Sequence, residues 1–179
     1  MKTFDEGFFA IHYASFNGNI EICQMLIEEG ADRYVSNKHG LNCLHIAAQG
    51  DQPISLFYFH KILNLDINQR DFRGSTPLHW AIFSCSELAM IYILTWLRKD
   101  QLTTTDEEGF TAMHLAVKTS QKLDNSRTVR VLMFHGSPTH IKDQNGKSAL
   151  DIANELEPSA IKQDIIRLLM HKPGLIEIL

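Results

Sequence analysis

An eight-residue phrase that begins with glycine and ends in a small apolar block occurs five times along the chain. Its glycines are Gly7, Gly40, Gly74, Gly109 and Gly146, so successive copies start 33, 34, 35 and 37 residues apart. A unit of this length is too short to bury an apolar face alone, whereas copies stacked side by side share a continuous core. The repeat therefore predicts a stack of like units.

The second to fifth copies carry local signals for a turn followed by a short helix. In these copies the turn begins with Asn or Asp and ends three residues later at the repeat glycine, as in Asp71–Gly74. Thr76 before Pro77 is typical of a helix start, because a hydroxyl N-cap precedes proline at the first helical position. Thr111 and Ser148 are predicted to cap the first helices of the fourth and fifth copies in the same way.

A second apolar stretch follows the first helix in every copy. In the first copy its apolar residues are spaced close to i, i+3, i+4, i+7, the pattern of a buried helical stripe. These residues are Ile20, Ile22, Cys23, Leu26 and Ile27. Gly30 and Gly136 are predicted to end the second helices of the first and fourth copies. The other second helices are predicted at residues 53–63, 87–98 and 159–171, with a fourth at 127–134 after a longer connection over 119–126.

The Thr-Pro-Leu-His block from Thr76 to His79, the 33-residue spacing and the Gly-Ala-Asp sequence from Gly30 resemble ankyrin repeats. The resemblance covers about residues 4–171. It implies an all-α ankyrin-repeat solenoid of stacked helix-turn-helix units with short β-turn tips rather than a sheet. We expect one domain over residues 1–179, with a short C-terminal tail. Its repeats are predicted at about 4–36, 37–70, 71–105, 106–142 and 143–172.

Three copies depart from the ankyrin pattern. The first has Phe9 and Ala10 where Thr-Pro is usual, the fourth has the extended stretch over 119–126, and the fifth has Asp151 in place of histidine. The third copy, from Gly74, is the closest to the family.

Nine histidines prompt the hypothesis of metal binding or acid–base catalysis. Four of them occupy one repeat position, namely His12, His45, His79 and His114. Equivalent side chains in stacked repeats lie roughly 10 Å apart, whereas the ligands of one metal ion lie within roughly 2.3 Å of it. The ankyrin resemblance implies instead that each hydrogen-bonds backbone near its own turn and ties neighbouring loops together. We therefore predict no metal, no cofactor and no catalytic residue in this segment.

The remaining histidines and the cysteines receive structural interpretations. His39 and His140 are predicted in loops, and His60, His135 and His171 in or at the ends of second helices. The three cysteines are odd in number and widely spaced, which disfavours a disulfide framework and fits a reducing compartment. Cys23 and Cys43 are predicted in the core, which argues against a thiol–imidazole pair with His45. Cys85 is predicted in the turn between two helices.

Charge and hydropathy exclude several classes of partner. The net charge is -4, so the chain lacks the basic footprint of a nucleic-acid-binding protein. The most apolar region, residues 88–97, falls short of the roughly 20 residues that a membrane span needs. Acidic residues within the first six positions do not fit a secretory signal. We predict a protein or peptide partner, no nucleic acid and no membrane contact by this segment.

Recognition is expected on the concave face, where the turn tips and the first helices of stacked repeats meet solvent. The candidate tip residues are Lys38, His39, Phe72, Arg73, Glu107 and Glu108. The change of tip charge from basic to acidic along this series is expected to orient a bound segment.

Trp80 and Phe83 lie one turn apart on the third first-helix, and Phe110 is expected to extend the same patch. A Trp near the centre of a groove is a typical anchor for a partner chain. The alternative, that Trp80 packs between neighbouring helices, stays open.

A narrower resemblance rests on residues 44–52, on 71–81 followed by 92–96, and on 114–118 followed by 141–143. These stretches resemble the ankyrin region of Asp-His-His-Cys protein S-acyltransferases, also called palmitoyltransferases. The resemblance implies a segment on the cytoplasmic face of an integral membrane protein of the Golgi or other endomembranes. It also implies that the segment recruits substrate proteins and that Trp80 takes part in peptide capture.

The segment itself is predicted not to be an enzyme, since its sequence has no Asp-His-His-Cys motif. The apolar end at residues 174–179 is expected to continue into further chain, so the full-length protein is a candidate palmitoyltransferase. The alternative that the sequence leaves open is a stand-alone ankyrin scaffold, or an inhibitor that masks a partner protein.

Overall fold

The structure is a computed structural model that describes the backbone of residues 2–3 and 6–170, and the side chains of residues 6–170. The all-α prediction is confirmed, since this part of the chain forms ten α-helices in five successive pairs. The chain divides into two compact units, residues 1–97 and 98–179. His171 and the predicted C-terminal tail lie outside the described residues.

The first unit contains three helix pairs. Its first helices are α1 (Ala10–Phe16), α3 (Cys43–Gln49) and α5 (Pro77–Phe83), and α3 packs against both α1 and α5. Its second helices are α2 (Ile20–Glu28), α4 (Pro53–Phe57) and α6 (Glu87–Trp96). Strand β1 (Lys2–Thr3) pairs antiparallel with β2 (Phe8–Phe9), with Lys2 opposite Phe9.

The second helix of the second repeat changes its winding along its length. After α4, residues Tyr58–Ile62 form a π-helix. The backbone N–H of Leu63 accordingly donates to Tyr58 O, five residues back, over 3.0 Å. Together the two segments cover the predicted span 53–63 to within one residue, so the predicted second helix is confirmed.

The second unit contains two helix pairs, preceded by a 3₁₀ segment at Lys99–Thr103. The pairs are α7 (Ala112–Leu123) with α8 (Arg127–Phe134), and α9 (Ala149–Glu155) with α10 (Ala160–Met170). Helices α6, α8 and α10 confirm the second helices predicted at 87–98, 127–134 and 159–171, within the described residues.

The longer connection predicted over residues 119–126 is wrong, because α7 continues to Leu123. Thr119 and Ser120, the first two residues of that predicted connection, have their hydroxyls bonded inside the helix. The Thr119 hydroxyl donates to Leu115 O over 2.9 Å, and the Ser120 hydroxyl to Ala116 O over 2.7 Å. Both side chains are buried, so these bonds satisfy polar groups that a loop would have exposed.

The apolar stripe predicted on α2 is wrong at one position. Cys23 is fully buried, and Leu26 and Ile27 follow it at i+3 and i+4 as half-buried residues. Ile22 is 45% exposed, because it precedes Cys23 by one residue and turns about 100° away from that face. Gly30 ends the helix with a φ of 91°, as predicted, and Gly136 follows α8 with a φ of 79°.

The repeat glycines allow neighbouring turns to meet. Gly40 has a φ of 82°, and a Cβ at this position would lie 2.7 Å from the backbone nitrogen of Phe72. That nitrogen donates to His39 O over 3.0 Å, so the second and third turns are joined by backbone. In the second unit, a Cβ on Gly109 would lie 2.7 Å from the nitrogen of Gln144, which donates to Glu108 O. Glycine has no Cβ, so it permits both the left-handed backbone conformation and the close approach of the next turn.

The core of each unit lies between its first and second helices. In the first unit the largest fully buried apolar side chains are Ile11, Leu44, Leu56, Phe59 and Ile93. In the second unit they are Met113, Val117, Leu132 and Ile165. Between first helices the small residues Ala47 and Ala81 are at most 1% exposed, which permits close helix approach.

Candidate functional site

The repeat histidine closes the first turn of its own helix. The Nδ1 atoms of His12, His45, His79 and His114 accept from the backbone N–H of the N-cap residue over 3.0–3.3 Å. The Nε2 atoms of His12, His45 and His114 lie against a carbonyl of the next repeat: His12 at 3.2 Å from Val35 O, His45 at 3.2 Å from Ser75 O and His114 at 3.3 Å from Lys147 O. The predicted structural role is confirmed for these three.

These two bonds assign a single neutral tautomer to His12 and His114. Nδ1 accepts from an N–H and therefore lacks a proton, while Nε2 donates to a carbonyl. Burial lowers the pKa of His12 and His114, and it lowers the pKa of His45 to about 4. Across the described residues no three His, Cys, Asp or Glu side chains are grouped to hold a metal ion.

The cysteines occupy the environments that the sequence predicts. Cys23 and Cys43 are fully buried, and Cys85 is exposed between α5 and α6. Burial raises the pKa of Cys23 to about 11 and raises that of Cys43 further still. A thiol that stays protonated is a poor nucleophile, and the Nδ1 of His45 lies 2.7 Å from Asn42 Oδ1. The segment Cys43–His45 is therefore part of the packing.

Trp80 is held by the turn of its own repeat. Its indole Nε1 donates to Asp71 Oδ2 over 2.9 Å, while Asp71 Oδ1 accepts from the backbone N–H of Arg73 and of Ser75. One buried carboxylate thus organises the turn and orients the indole. The indole is half-buried, so Trp80 packs on its own repeat and keeps part of its ring in solvent.

Phe83 lies beside Trp80 on the same helix. The two rings meet edge to face with centroids 6.0 Å apart, and Phe83 is 59% exposed. Phe72, at the tip of the same repeat, is 74% exposed, and Arg73 next to it is also exposed. The third repeat therefore presents apolar side chains from both its turn and its first helix.

The tip of the second repeat carries the predicted basic residues. Lys38 is exposed, and its backbone N–H donates to Glu6 O over 3.2 Å. The His39 ring contacts the Glu6 carboxylate of the first repeat, with both side chains more than half exposed. Lys38, His39, Phe72, Arg73, Trp80 and Phe83 all belong to the first unit.

Glu107, Glu108 and Phe110 belong to the second unit, and the two acidic residues are exposed at its first turn. Phe110 is 8% exposed, so the expectation that it extends a surface patch is wrong. It directly follows the repeat glycine, as does Leu41 in the second repeat, which is 5% exposed. The Lys118 ammonium lies 4.0 Å above the Phe110 ring and covers it.

Tyr13 and Phe16 are a pair that the sequence analysis missed. They lie six and nine residues after Gly7, at the repeat positions that Trp80 and Phe83 occupy after Gly74. Tyr13 is 49% exposed and Phe16 is 44% exposed. Comparison of the copies position by position would have found them, since both positions are aromatic in two copies of the repeat.

Comparisons with known proteins agree with this architecture. Residues 11–96 match the family model for ankyrin repeats in three copies. The chain is 27% identical over 149 residues, 82% of its length, to the palmitoyltransferase AKR1 of Lachancea kluyveri, of which it covers 19%. It is 37% identical over 100 residues, 55% of its length, to the palmitoyltransferase ZDHHC13 of Pongo abelii, of which it covers 16%.

The chain is also similar to a protein that is not named as a palmitoyltransferase. The chain is 28% identical over 153 residues, 83% of its length, to inversin of Canis lupus familiaris, of which it covers 13%. The chain thus spans no more than about a fifth of the length of these relatives. Among the described helices, none combines the length and apolarity that crossing a membrane requires.

The turn that ends in a left-handed glycine, the paired helices and the histidine that binds the next turn recur along the chain. They coincide with the match to the repeat family and with the similarity to palmitoyltransferases. Residues 11–96 therefore belong to the ankyrin-repeat family, and the helix pairs of the second unit follow the same pattern.

Proposed function

We propose that this chain recruits partner proteins by binding one of their segments on the first helices and turn tips of residues 1–97. Ankyrin repeats are protein-interaction modules, and these positions are not fixed by the requirements of the fold. The observation that carries the proposal is the Trp80–Phe83 pair, in which a bonded indole supports a ring that is 59% exposed. An aromatic anchor that is already oriented loses little conformational freedom on binding.

The similarity to palmitoyltransferases supports a specific role for this binding. We infer that the captured proteins are substrates of protein S-acylation, and that the chain acts as the substrate-recruiting part of such an enzyme. In that setting the chain lies on the cytoplasmic side of an endomembrane. Lys38 and His39 at the second tip and Phe72 and Arg73 at the third flank the anchor and select among partners.

A pull-down from cell lysate tests the binding site. The variant carries Trp80→Ala and Phe83→Ala, and the matched control carries Leu88→Ala and Ile91→Ala, which removes two exposed apolar side chains from the second helix of the same repeat. We expect the first variant to lose most of the captured proteins and the control to retain them, with equal helical circular dichroism. Equal capture by the two variants would reject the site.

Metabolic labelling with an alkynyl fatty acid tests the inferred role. Proteins captured by the wild-type chain are treated with hydroxylamine, which cleaves thioesters, and the label released is measured. We expect S-acylated proteins to be enriched over their share of the lysate, and the enrichment to disappear with the Trp80 and Phe83 variant. Capture without any enrichment would leave the binding site standing and reject the link to acylation.

A further inference from the structure

We infer that the first helices of residues 1–97 carry two aromatic anchors rather than one, and that they bind an extended acidic segment with two large apolar side chains six residues apart. The inference rests on the proposed function and specifies the partner of the same site. One anchor is Trp80 with Phe83 on α5, and the other is Tyr13 with Phe16 on α1. Both pairs occupy the same two positions of the repeat.

The exposure of these side chains is what makes them anchors. Tyr13, Phe16 and Phe83 are 49%, 44% and 59% exposed, whereas the preceding residues on the same helices, His12 and Ile82, are at most 2% exposed. The aromatic side chains therefore lie on the outward face of first helices whose opposite face is packed. Single exposed apolar residues are common on protein surfaces. Here, however, aromatic residues occupy the same two positions in two repeats, and together they form a row.

The helix between the anchors supplies a polar group suited to a peptide backbone. On α3 the corresponding positions are Ile46, which is 3% exposed, and Gln49, which is half-buried. A glutamine side chain both donates and accepts hydrogen bonds. Gln49 can therefore hydrogen-bond the backbone of a segment that crosses the row, since that backbone presents both N–H and C=O groups.

The spacing follows from helix packing. Since α3 packs against both α1 and α5, the anchors are two helix-to-helix steps apart, or roughly 16–20 Å at 8–10 Å per step. An extended chain advances about 3.3 Å per residue and alternates its side chains between two faces. Only an even separation directs both apolar side chains to one face, and six residues span about 20 Å.

The charge of the adjoining edge selects an acidic segment. The Trp80–Asp71 bond places the turn tips beside this row, and the tips of the second and third repeats present Lys38 and Arg73. The Glu6 carboxylate contacts His39, and the Asp71 carboxylate is bonded to Trp80. At the opposite edge, the carboxylate of Asp51 accepts from the backbone N–H of Ala89. The exposed charged side chains of the second and third tips, Lys38 and Arg73, are therefore both basic and suit an acidic segment.

A random dodecapeptide display library panned against the full chain tests the inference. We expect enriched peptides to share two large apolar residues six positions apart, with Asp or Glu between or beside them. The best peptide is then synthesised, and fluorescence anisotropy measures its affinity for the wild-type chain. Removal of either aromatic pair, by Tyr13→Ala with Phe16→Ala or by Trp80→Ala with Phe83→Ala, should weaken binding at least tenfold.

Two further measurements use the same peptide. One residue inserted between its apolar positions should weaken binding to the unmodified chain at least tenfold, because the second side chain then faces away. Lys38→Glu with Arg73→Glu should weaken binding, whereas the Leu88→Ala with Ile91→Ala control should not. The inserted peptide needs no altered protein, so misfolding cannot produce its effect.

The outcomes separate this inference from the proposed function. Binding that depends on Trp80 and Phe83 but is unchanged without Tyr13 and Phe16 would overturn the two-anchor site and leave the proposed function intact. Binding that tolerates the inserted residue would also overturn it. Peptides that bind both aromatic variants as tightly as the wild type would overturn both.

Discussion

The indole nitrogen of Trp80 donates to the carboxylate of Asp71 over 2.9 Å, and the same buried carboxylate accepts two backbone N–H groups of its turn. The turn and the exposed aromatic pair of the third repeat are therefore parts of one hydrogen-bonded arrangement. We therefore expect a substitution of Asp71 to change the orientation of Trp80 at the binding surface without unfolding the repeat.

Asp71→Asn should release the indole and retain the turn. The second repeat has Asn37 at this position, and its Oδ1 accepts from His39 N over 2.9 Å and Leu41 N over 3.0 Å. We expect unchanged helical content, a loss of about 1–3 kcal/mol in the free energy of unfolding and weaker partner capture. Asp143→Asn is the matched control, because Ile152 stands where Trp80 would be. Equal tryptophan emission and capture in wild type and Asp71→Asn would contradict the coupling.

The free energy of unfolding should fall as the pH is lowered from about 7 to 4. Unfolded histidine binds a proton near pH 6.5, whereas burial lowers the pKa of folded His45 to about 4 and also lowers the pKa of His12 and His114. The contribution of these neutral histidines to the free energy of unfolding is therefore fully present above about pH 6.5. It is lost at lower pH as the unfolded chain takes up protons. The slope is at most about 1.4 kcal/mol per pH unit for each histidine.

Urea denaturation at several pH values measures this slope. His45→Gln should lower stability at pH 7 and make the dependence on pH shallower. A slope identical to that of the wild type would show that His45 does not contribute.

Gly40→Ala should be more destabilising than Gly30→Ala. Both glycines have positive φ, 82° and 91°, so both substitutions incur the left-handed backbone cost of about 1–2 kcal/mol. At Gly40 the new Cβ would also lie 2.7 Å from the nitrogen of Phe72, whereas nothing lies within 4 Å at Gly30. We expect at least about 1 kcal/mol of additional loss at Gly40, measured by urea denaturation. Equal losses would mean that the neighbouring turn moves away at no cost.

Iodoacetamide should modify one cysteine in the native chain and three in urea. Cys85 is exposed, while Cys23 and Cys43 are fully buried and have raised pKa values. Intact-mass measurement after a short exposure at pH 8 counts the adducts. Peptide mapping then assigns the native adduct, and its appearance on Cys23 or Cys43 at the same rate would contradict the packing.

Local sequence signals predicted most of the fold, because the turns, the caps and the repeat histidines act within a few residues. Thr76 and Ser148 cap helices where the sequence places them, and His45 binds its own N-cap. The end of α7 was not predictable in this way, since Thr119 and Ser120 are as compatible with a loop as with a helix. Their burial inside the second unit decides between the two.

The candidate site was less predictable than the fold. Trp80 and Phe83 were identifiable as aromatic residues in a repeat, but the hydrogen bond that Trp80 donates to Asp71 depends on how the turn folds back on the helix. Phe110 was misplaced because the position that follows the repeat glycine is buried here, as it is at Leu41 in the second repeat. Exposure of an aromatic side chain follows from the neighbouring repeat, which a single copy does not reveal.

The histidine bonds to the following turn also bear on how the chain folds. His12 needs the carbonyl of Val35 and His45 needs that of Ser75, so a helix cap in one repeat is completed only when the next repeat has formed. Each repeat is then more stable beside a folded neighbour than alone, which is nearest-neighbour cooperativity. Truncation after an early repeat should therefore remove the carbonyl that the Nε2 atom of its last histidine binds, and the new end of the chain should fray. The shortest fragment that folds independently is therefore expected to have more than one repeat.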